Sequence, residues 1–392
     1  MEKFDRWILF TTVALVCFGA LMIYSSTSVI TPVLAKKKIT EFYYFKRHMF
    51  TILIGLIILF LTSYKLRLVF VQKYTVHLLV FSFLLLILVF IPGIGVSAGG
   101  ATRWIRLWPS TFQPSELVKL SMVIFLAHYV SQPGYRTDSF VSFAKPIGVM
   151  ALFQVVILKQ PDFGAAMSLA FLTVAMLFIS GTRLRYLASL GVLAVPVIVL
   201  LALKPYRFQR ITCFLDPWKE PLGCGFQLVQ SFIALGSGGI TGVGIGGSMQ
   251  KLAYLPESHT DFIFSIIGEE FGFLGVFTIV LLFLAIFVKG VAVAGRAKEP
   301  FVYYLATGLT LMVSLQALIN FAVVIGLVPT KGLPLPFISY GGSSLLVNLA
   351  AVGMLLAISK GEDLTHVNGD RHELMKRRAR RNVYRRYSVP GV

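Results

Sequence analysis

Long runs of apolar residues, each close to the length of a bilayer-crossing helix, dominate the chain, and polar residues gather in the gaps between them. Counting stretches of about 18 or more largely apolar residues predicts ten helices, at approximately 7–30, 48–64, 74–91, 114–132, 141–159, 164–180, 186–203, 266–290, 302–326 and 340–359. The pattern predicts an all-α integral membrane protein with a membrane domain at 1–359. Within it lies a large loop at 204–262 between the seventh and eighth helices, and a tail follows at 360–392. The first run is too long for a signal-peptide core and no A-x-A-like cleavage pattern follows it, so it reads as a retained helix.

Composition agrees: 56% of residues are hydrophobic, 14% are charged and the mean hydropathy is +0.80, which water alone would not keep in solution. Lys and Arg outnumber Asp and Glu by 36 to 17. In a membrane protein that surplus marks loops facing the anionic cytoplasmic leaflet, and it does not call for nucleic acid. An even number of helices puts both termini on one side. Residues 360–392 carry nine Lys or Arg against four Asp or Glu, including KRRARR at 376–381, so both termini are expected in the cytoplasm and the tail is expected to be disordered and lipid-facing. Lys65, Arg67, Lys73, Arg136, Lys145, Arg183, Arg185, Arg296 and Lys298 fall in inward loops on this scheme. Lys36, Lys37, Lys38, Lys46 and Arg47 break it from the first outward loop.

The loop at 204–262 is rich in Gly, Pro and aromatics and far longer than most connections, which points to a functional segment. Cys213 and Cys224 both lie in it, where the outer compartment permits a disulfide; spacing alone does not decide whether they pair. No CxxC or Cys/His pattern suggests zinc.

Ionisable groups at membrane depth are costly and mark either function or a structural pair. Four clusters map to the outward side. GGATRWIRLWPSTFQPSELVKL (99–120) carries Arg103 and Arg106, Pro114 at an expected first helical position, and Glu116 and Lys119 at i, i+3 on one helix face. They can pair, and Glu116 at N3 can equally cap the helix start. In KQPDFG (159–164), Pro161 and Gly164 interrupt the apolar run and leave Asp162 at a turn, where an aspartate is ordinarily solvated. In LPESHTDFIF (255–264), Ser258 and Asp261 fit an S-x-x-D capping box. On a continuous helix Glu269 would lie about 80° and about 12 Å from Asp261, so neither it nor Glu270 is a close partner. GLVPTKGLPLPFISYGGSSL (326–345) cannot be continuous helix, and it brings Lys331, Ser339, Ser343 and Ser344 to the same face. Irregular backbone at that depth must be buried or line a cavity.

KQPDFG, FLDPW, GFQLVQS, LPESHTDFIF, GEEFG and PTKGLPLPFISYGGSSL resemble, in order and spacing across nearly the whole chain, the signatures of the SEDS family that includes FtsW, RodA and SpoVE. The PTKG variant is more similar to FtsW or SpoVE than to RodA; Cys213 and Cys224 depart from the pattern. The resemblance implies a ten-helix peptidoglycan glycosyltransferase in the bacterial cytoplasmic membrane, polymerising lipid II at the division septum beside a class B penicillin-binding protein and other divisome proteins. It also implies Asp261 as the catalytic group, most simply the base for an acceptor hydroxyl. Arg103, Lys119, Lys251 and Lys331 are candidates for the pyrophosphate, with Mg2+ or Mn2+ as a candidate cofactor. Glu116 and Asp162 would support the cavity, and His259, Ser339 and Ser343 would line it; Glu257 would only shape the loop. A lipid II flippase, a RodA-like polymerase of elongation and a non-catalytic septal scaffold are the competing expectations. A flippase would suit the helix breaks at Pro161 and Pro334, but no inverted repeat is evident and the polar clusters sit on one side.

Overall fold

The computed structural model describes residues 4–27, 43–98, 100–107, 110–202, 209, 212–252, 255, 258–329 and 332–361. Glu257, Lys331 and the basic tail lie outside the described residues. Twelve helices and one small sheet follow in order among those described: α1 (Arg6–Thr27), α2 (Tyr43–Tyr64), α3 (Leu68–Lys73), α4 (Thr75–Leu88), β1 (Gly95–Ala98), β2 (Ala101–Leu107), β3 (Ser110–Phe112), α5 (Pro114–Val130), α6 (Phe140–Lys159), α7 (Phe163–Ile179), α8 (Leu184–Ala202), α9 (Phe226–Ser237), α10 (Ile263–Gly295), α11 (Pro300–Val324) and α12 (Gly342–Ser359). Each of the ten expected spans coincides with a helix. Among the described residues six of them, α1, α2, α6, α10, α11 and α12, are long and apolar enough to cross a membrane by length and composition; α4, α7 and α8 are shorter apolar helices, as is α9 within the 204–262 loop.

The fold is mostly helical, and the sheet is its addition to the helical expectation. β2 pairs antiparallel with β1 and with β3, setting Val96 opposite Trp104 and Arg106 opposite Thr111. The loop at 204–262 holds α9 and a disulfide joining Cys213 to Cys224 across a Cα–Cα distance of 5.9 Å, inside the range such a bond requires.

Helix placement follows which faces are apolar all round. α5 buries Val118, Met122, Val123, Ile124 and Leu126, and α12 buries Leu345, Leu349, Val352, Leu355 and Ile358, so both are central. α11 packs on α5, and α10 on α11; α2 lies along α12. α2, α6 and α8 instead leave large apolar side chains such as Leu53, Phe60, Val155 and Leu193 exposed, as a lipid-facing surface demands. Lipid tails are as apolar as Leu, so association between such helices rests on close packing and on hydrogen bonds. One of these joins Ser82 of α4 to Ser121 of α5 at 2.8 Å.

The start of α1 and the end of α12 meet on one face: the backbone N–H of Asp5 donates to Ser359 Oγ at 3.1 Å, and Lys360 Nζ donates to the Ser63 carbonyl at 3.0 Å at the end of α2. Alternation along the bundle then puts the α10 start, the segment 332–341, the sheet and the α6–α7 turn together on the opposite face.

Candidate functional site

Asp261 stands in a tight turn just ahead of α10. The helix begins at Ile263 with Phe262 in the capping position and no side-chain cap bond, so the expected Ser258/Asp261 capping box does not form. The turn is held by its backbone instead. Asn320 of α11 donates through Nδ2 to the Asp261 carbonyl and to the Leu333 carbonyl, both at 2.8 Å. The Tyr340 N–H donates to the His259 carbonyl at 2.9 Å. HTDFIF and GLPLPFISYGG therefore run side by side, and the Asp261 carboxylate lies against Gly332, where a Cβ would come 2.9 Å from Oδ2. Ser339 accepts from the Leu335 N–H at 2.8 Å, closing a turn within this segment.

From this turn a continuous polar network runs into the bundle. Gln316, one helical turn before Asn320, donates to the Pro334 carbonyl and to Ser344 Oγ, both at 2.9 Å. Its Oε1 accepts from Lys119 Nζ at 2.7 Å, and Lys119 also pairs with Glu116 at 2.8 Å. The i, i+3 pair predicted from sequence is thus present, and Pro114 is the first helical residue as expected. Both side chains are nearly inaccessible, 4% and 3% exposed. The charge of Lys119, a candidate for the pyrophosphate, is matched here by a carboxylate inside the bundle.

Asp162 is not a solvated turn residue. It is buried, caps α7 by accepting from the Ala165 N–H at 3.1 Å, and accepts from Gln113 Nε2 at 2.9 Å. Gln113 in turn donates its backbone N–H to Ser343 at 2.8 Å, which ties the start of α12 to the sheet. Arg103 on β2 clasps the same turn, donating to the Pro161 carbonyl at 2.6 Å and approaching Asp162 Oδ1 at 3.8 Å. Burial pushes the Asp162 carboxyl above its ordinary range, against the pull of the Arg103 guanidinium and the Ala165 N–H, while Glu116 adds to the rise. Desolvation wins because a carboxylate loses more hydration on burial than these partners return. The Arg103 side chain stays 26% exposed, which leaves it able to meet a ligand.

Lys251 lies in a second network. Its Nζ pairs with Glu270 at 3.0 Å and both groups are buried, 3% and 0% exposed; Ser25 of α1 donates to the same carboxylate at 2.7 Å. Glu269 accepts from Ser248 Oγ and from the Met249 N–H at 2.9 Å. Lys251, like Lys119, is thus buried against its own counter-ion. Glu269 and Glu270, which the sequence left without a task, pin the loop at 248–251. They can do so because α10 breaks at Gly272, with φ 64° and ψ −161°. The carbonyls of Glu269 and Glu270 accept from the N–H groups of Val243 and Gly244 at 3.0 and 3.1 Å. The N–H groups of Phe273 and Leu274 find Gly239 and Ile240, so the Gly-rich stretch 238–244 replaces the missing helical bonds.

Beside Asp261 stands a group of rings. His259 lies 5.5 Å from Tyr44 and 5.8 Å from Tyr340, and His48 lies 5.9 Å from Tyr340. Burial pushes the Tyr340 phenol up to about 12, with Arg47 opposing, so it remains a proton donor at neutral pH. A divalent ion finds little here. Among the described residues the one group of three or more metal-type ligands is Cys213, Glu220 and Cys224, and the two cysteines are joined in a disulfide. No group of three such side chains surrounds Asp261 among the described residues.

Gln113, Gln316, Asn320 and Ser25 were missed in the sequence. The signal for two of them is visible in SLQALINF, where amides at i and i+4 share one face of an otherwise apolar helix.

The FtsW/RodA/SpoVE family model, described as a cell cycle protein, matches residues 6–364. The chain is 44% identical over 365 residues to the "Probable peptidoglycan glycosyltransferase FtsW" of Geobacter sulfurreducens (strain ATCC 51573 / DSM 12127 / PCA), covering 92% of this chain and 96% of that one. It is 40% identical over 364 residues to the protein of the same name from Coxiella burnetii, with 91% and 96% covered. Its fold is similar to a chain from a peptidoglycan synthase complex solved for its coordination of polymerization and crosslinking, with a TM-score of 0.74, 29% identity and 92% and 98% coverage. It is also similar to the crystal structure of the Thermus thermophilus rod shape determining protein RodA, with a TM-score of 0.67, 27% identity and 92% and 97% coverage.

Proposed function

This chain belongs to the FtsW/RodA/SpoVE family, and on that premise we propose that Asp261 is the general base of its glycosyl transfer. The protein is a multi-pass membrane peptidoglycan glycosyltransferase of the FtsW type, acting in septal cell-wall synthesis. The substrate proposed is lipid II. The acceptor sugar hydroxyl attacks the anomeric carbon of the donor, the bond from that carbon to the pyrophosphate oxygen breaks, and undecaprenyl pyrophosphate leaves with the bonding electrons. Asp261 takes the hydroxyl proton, a role for which a half-buried carboxylate at the membrane edge is suited.

The observation that carries this reading is the setting of the Asp261 carboxylate between two irregular segments that Asn320 fixes to each other. Arg103 and Lys331 are assigned to the charge that develops on the leaving pyrophosphate, and His259, Ser339 and Ser343 to the groove wall. Lys119, Lys251, Glu116 and Asp162 are assigned to holding that groove in place. Any Mg2+ or Mn2+ would arrive with the pyrophosphate, and no step here depends on it. The Asp261 face is proposed to be extracytoplasmic and both termini cytoplasmic, in line with the basic tail; a class B penicillin-binding protein at the septum is the proposed partner.

Lipid II polymerisation by the purified protein with its penicillin-binding partner, transpeptidation blocked, tests the base. A folded Asp261→Asn variant should lose about a hundredfold or more in rate; equal glycan output from both forms would remove Asp261 from the chemistry. The second reading, lipid II transport, draws on the break in α10 at Gly272. It would replace the first if neither form made chains while both moved lipid II across vesicles.

A further inference from the structure

We infer that the face opposite Asp261 carries a binding site for the phosphate of an anionic glycerophospholipid, built by Arg136 and Lys145 over a cavity between α5 and α6. The cavity, of about 380 Å3, is lined chiefly by Tyr129, Tyr135, Arg136, Ser139, Ser142 and Lys145. That volume falls within the roughly 300–1,000 Å3 of small-ligand sites, and no carboxylate lines it. The nearest acid, Asp138, is shared: Arg136 and Arg183 each approach it at 3.6 Å. One negative charge thus faces two arginines and Lys145, and the rim keeps a positive surplus.

The wall is fixed by bonds that do not use the cations. The Tyr135 hydroxyl bonds Ser180 and Thr182 at 2.9 and 2.8 Å, and the Tyr186 hydroxyl donates to the Asp138 carbonyl at 2.9 Å. Arg136 itself is held only loosely, with its side chain 75% exposed. The Ser139 side chain makes no capping bond to α6.

The flank of the cavity selects an amphiphile over a soluble anion. Phe140 and Val141, the first residues of membrane-spanning α6, are 61% and 58% exposed beside these cations. Tyrosines cluster at the same level, with Tyr129 and Tyr135 rings 5.8 Å apart and Tyr186 stacked on Phe143 at 5.6 Å, as at a membrane–water interface. A phosphate on Arg136 and Lys145 with acyl chains along Phe140 and Val141 satisfies both halves of the surface. The site is separate from the Asp261 network, since the 17 residues of α5 set the two about 25 Å apart along that helix. The orientation proposed above decides only which leaflet supplies the lipid, the inner one; binding does not depend on it.

The test is retention of phosphatidylglycerol, against phosphatidylcholine of the same chains, by the delipidated full-length protein in detergent, read by native mass spectrometry. Each surface cation near anionic lipid contributes about fivefold, so Arg136→Gln with Lys145→Gln should weaken phosphatidylglycerol retention roughly thirtyfold. Lys298→Gln, which removes an exposed charge from the same face outside the cavity, should leave it unchanged, and Arg136→Lys should keep most of it. Equal retention by the wild type and the double variant overturns the site. Displacement of the lipid by excess inorganic phosphate overturns the lipid assignment in favour of free phosphate. Because the readout is lipid retention, failure here leaves the polymerase reading untouched, and failure of Asp261→Asn to lose activity leaves this site untouched.

Discussion

Asn320 shows how much one buried amide can decide. Its Nδ2 is the donor that both the Asp261 and the Leu333 carbonyls accept from, and a buried carbonyl left without a partner costs about 1–3 kcal/mol. Asn320→Ala is therefore expected to lower the unfolding midpoint in a thermal scan. Polymerisation should fall more than tenfold, by misplacing the base whose backbone carbonyl it holds; a variant with unaltered activity would show that Asp261 is positioned by other means. Asp162 makes a different prediction, about pH. Its folded pKa is raised by burial, so the folded state keeps the proton in a window that starts near the ordinary carboxylate value, about 3.9, and ends at the raised folded value. In that window the unfolded chain binds fewer protons, and the stability contributed by this group falls as pH rises. Asp162→Asn keeps an oxygen for the Ala165 N–H and should flatten that slope in unfolding midpoints measured upward from about pH 4. Both residues carried legible signals, but to different depths. KQPDFG announced a turn, and only the neighbours Arg103 and Gln113 reveal that the turn is buried.

At the scale of elements, the long apolar runs were readable because a helix in lipid must satisfy its backbone internally and so leaves a run of fixed length. The departures occur where the backbone finds partners elsewhere. α10 reads from sequence as one helix, and glycine in such a pattern is tolerated. The break at Gly272 exists because the segment 238–244 supplies the missing donors and acceptors. Gly272 holds a conformation essentially closed to other residues, and a Cβ there would drive into the backbone of Ile240 and Gly242. Gly272→Ala should cost about 1–3 kcal/mol. It should also loosen the loop at 248–251 that Glu269 and Glu270 hold, which limited proteolysis after reconstitution would detect as faster cleavage. The sheet was missed for a related reason. ATRWIRL is too short and too mixed to declare a strand by itself, and pairing with both β1 and β3 is what makes it one.

Across the whole molecule, the Asp5–Ser359 bond puts the start of α1 and the end of α12 on one face, and the Asp261 network occupies the other. The proposed orientation predicts how single cysteines label in spheroplasts, in a background with Cys17 replaced. Leu107→Cys on β2 should react with a membrane-impermeant maleimide, while Thr137→Cys in the α5–α6 turn should react only after permeabilisation. The reverse pattern would invert the protein in the membrane and move the proposed glycan chemistry to the wrong compartment.

The sequence by itself determined the lipid-embedded helical body, the side on which its polar clusters gather, the Glu116–Lys119 pair and the family signatures around Asp261. These are properties of composition, of spacing along one helix, or of contiguous motifs, and each can be read without knowing what lies beside it. Tertiary structure alone decided that Gln316 joins the Glu116–Lys119 pair inside the bundle, that Lys251 faces Glu270, that Asp162 is buried, and that α10 breaks where a distant glycine-rich loop can complete it. A charge at the membrane edge takes its role from the partner that desolvation forces it to find. For Lys251 the partners are Glu270 of α10 and Ser25 of α1, the latter 226 residues away, beyond the reach of any local pattern.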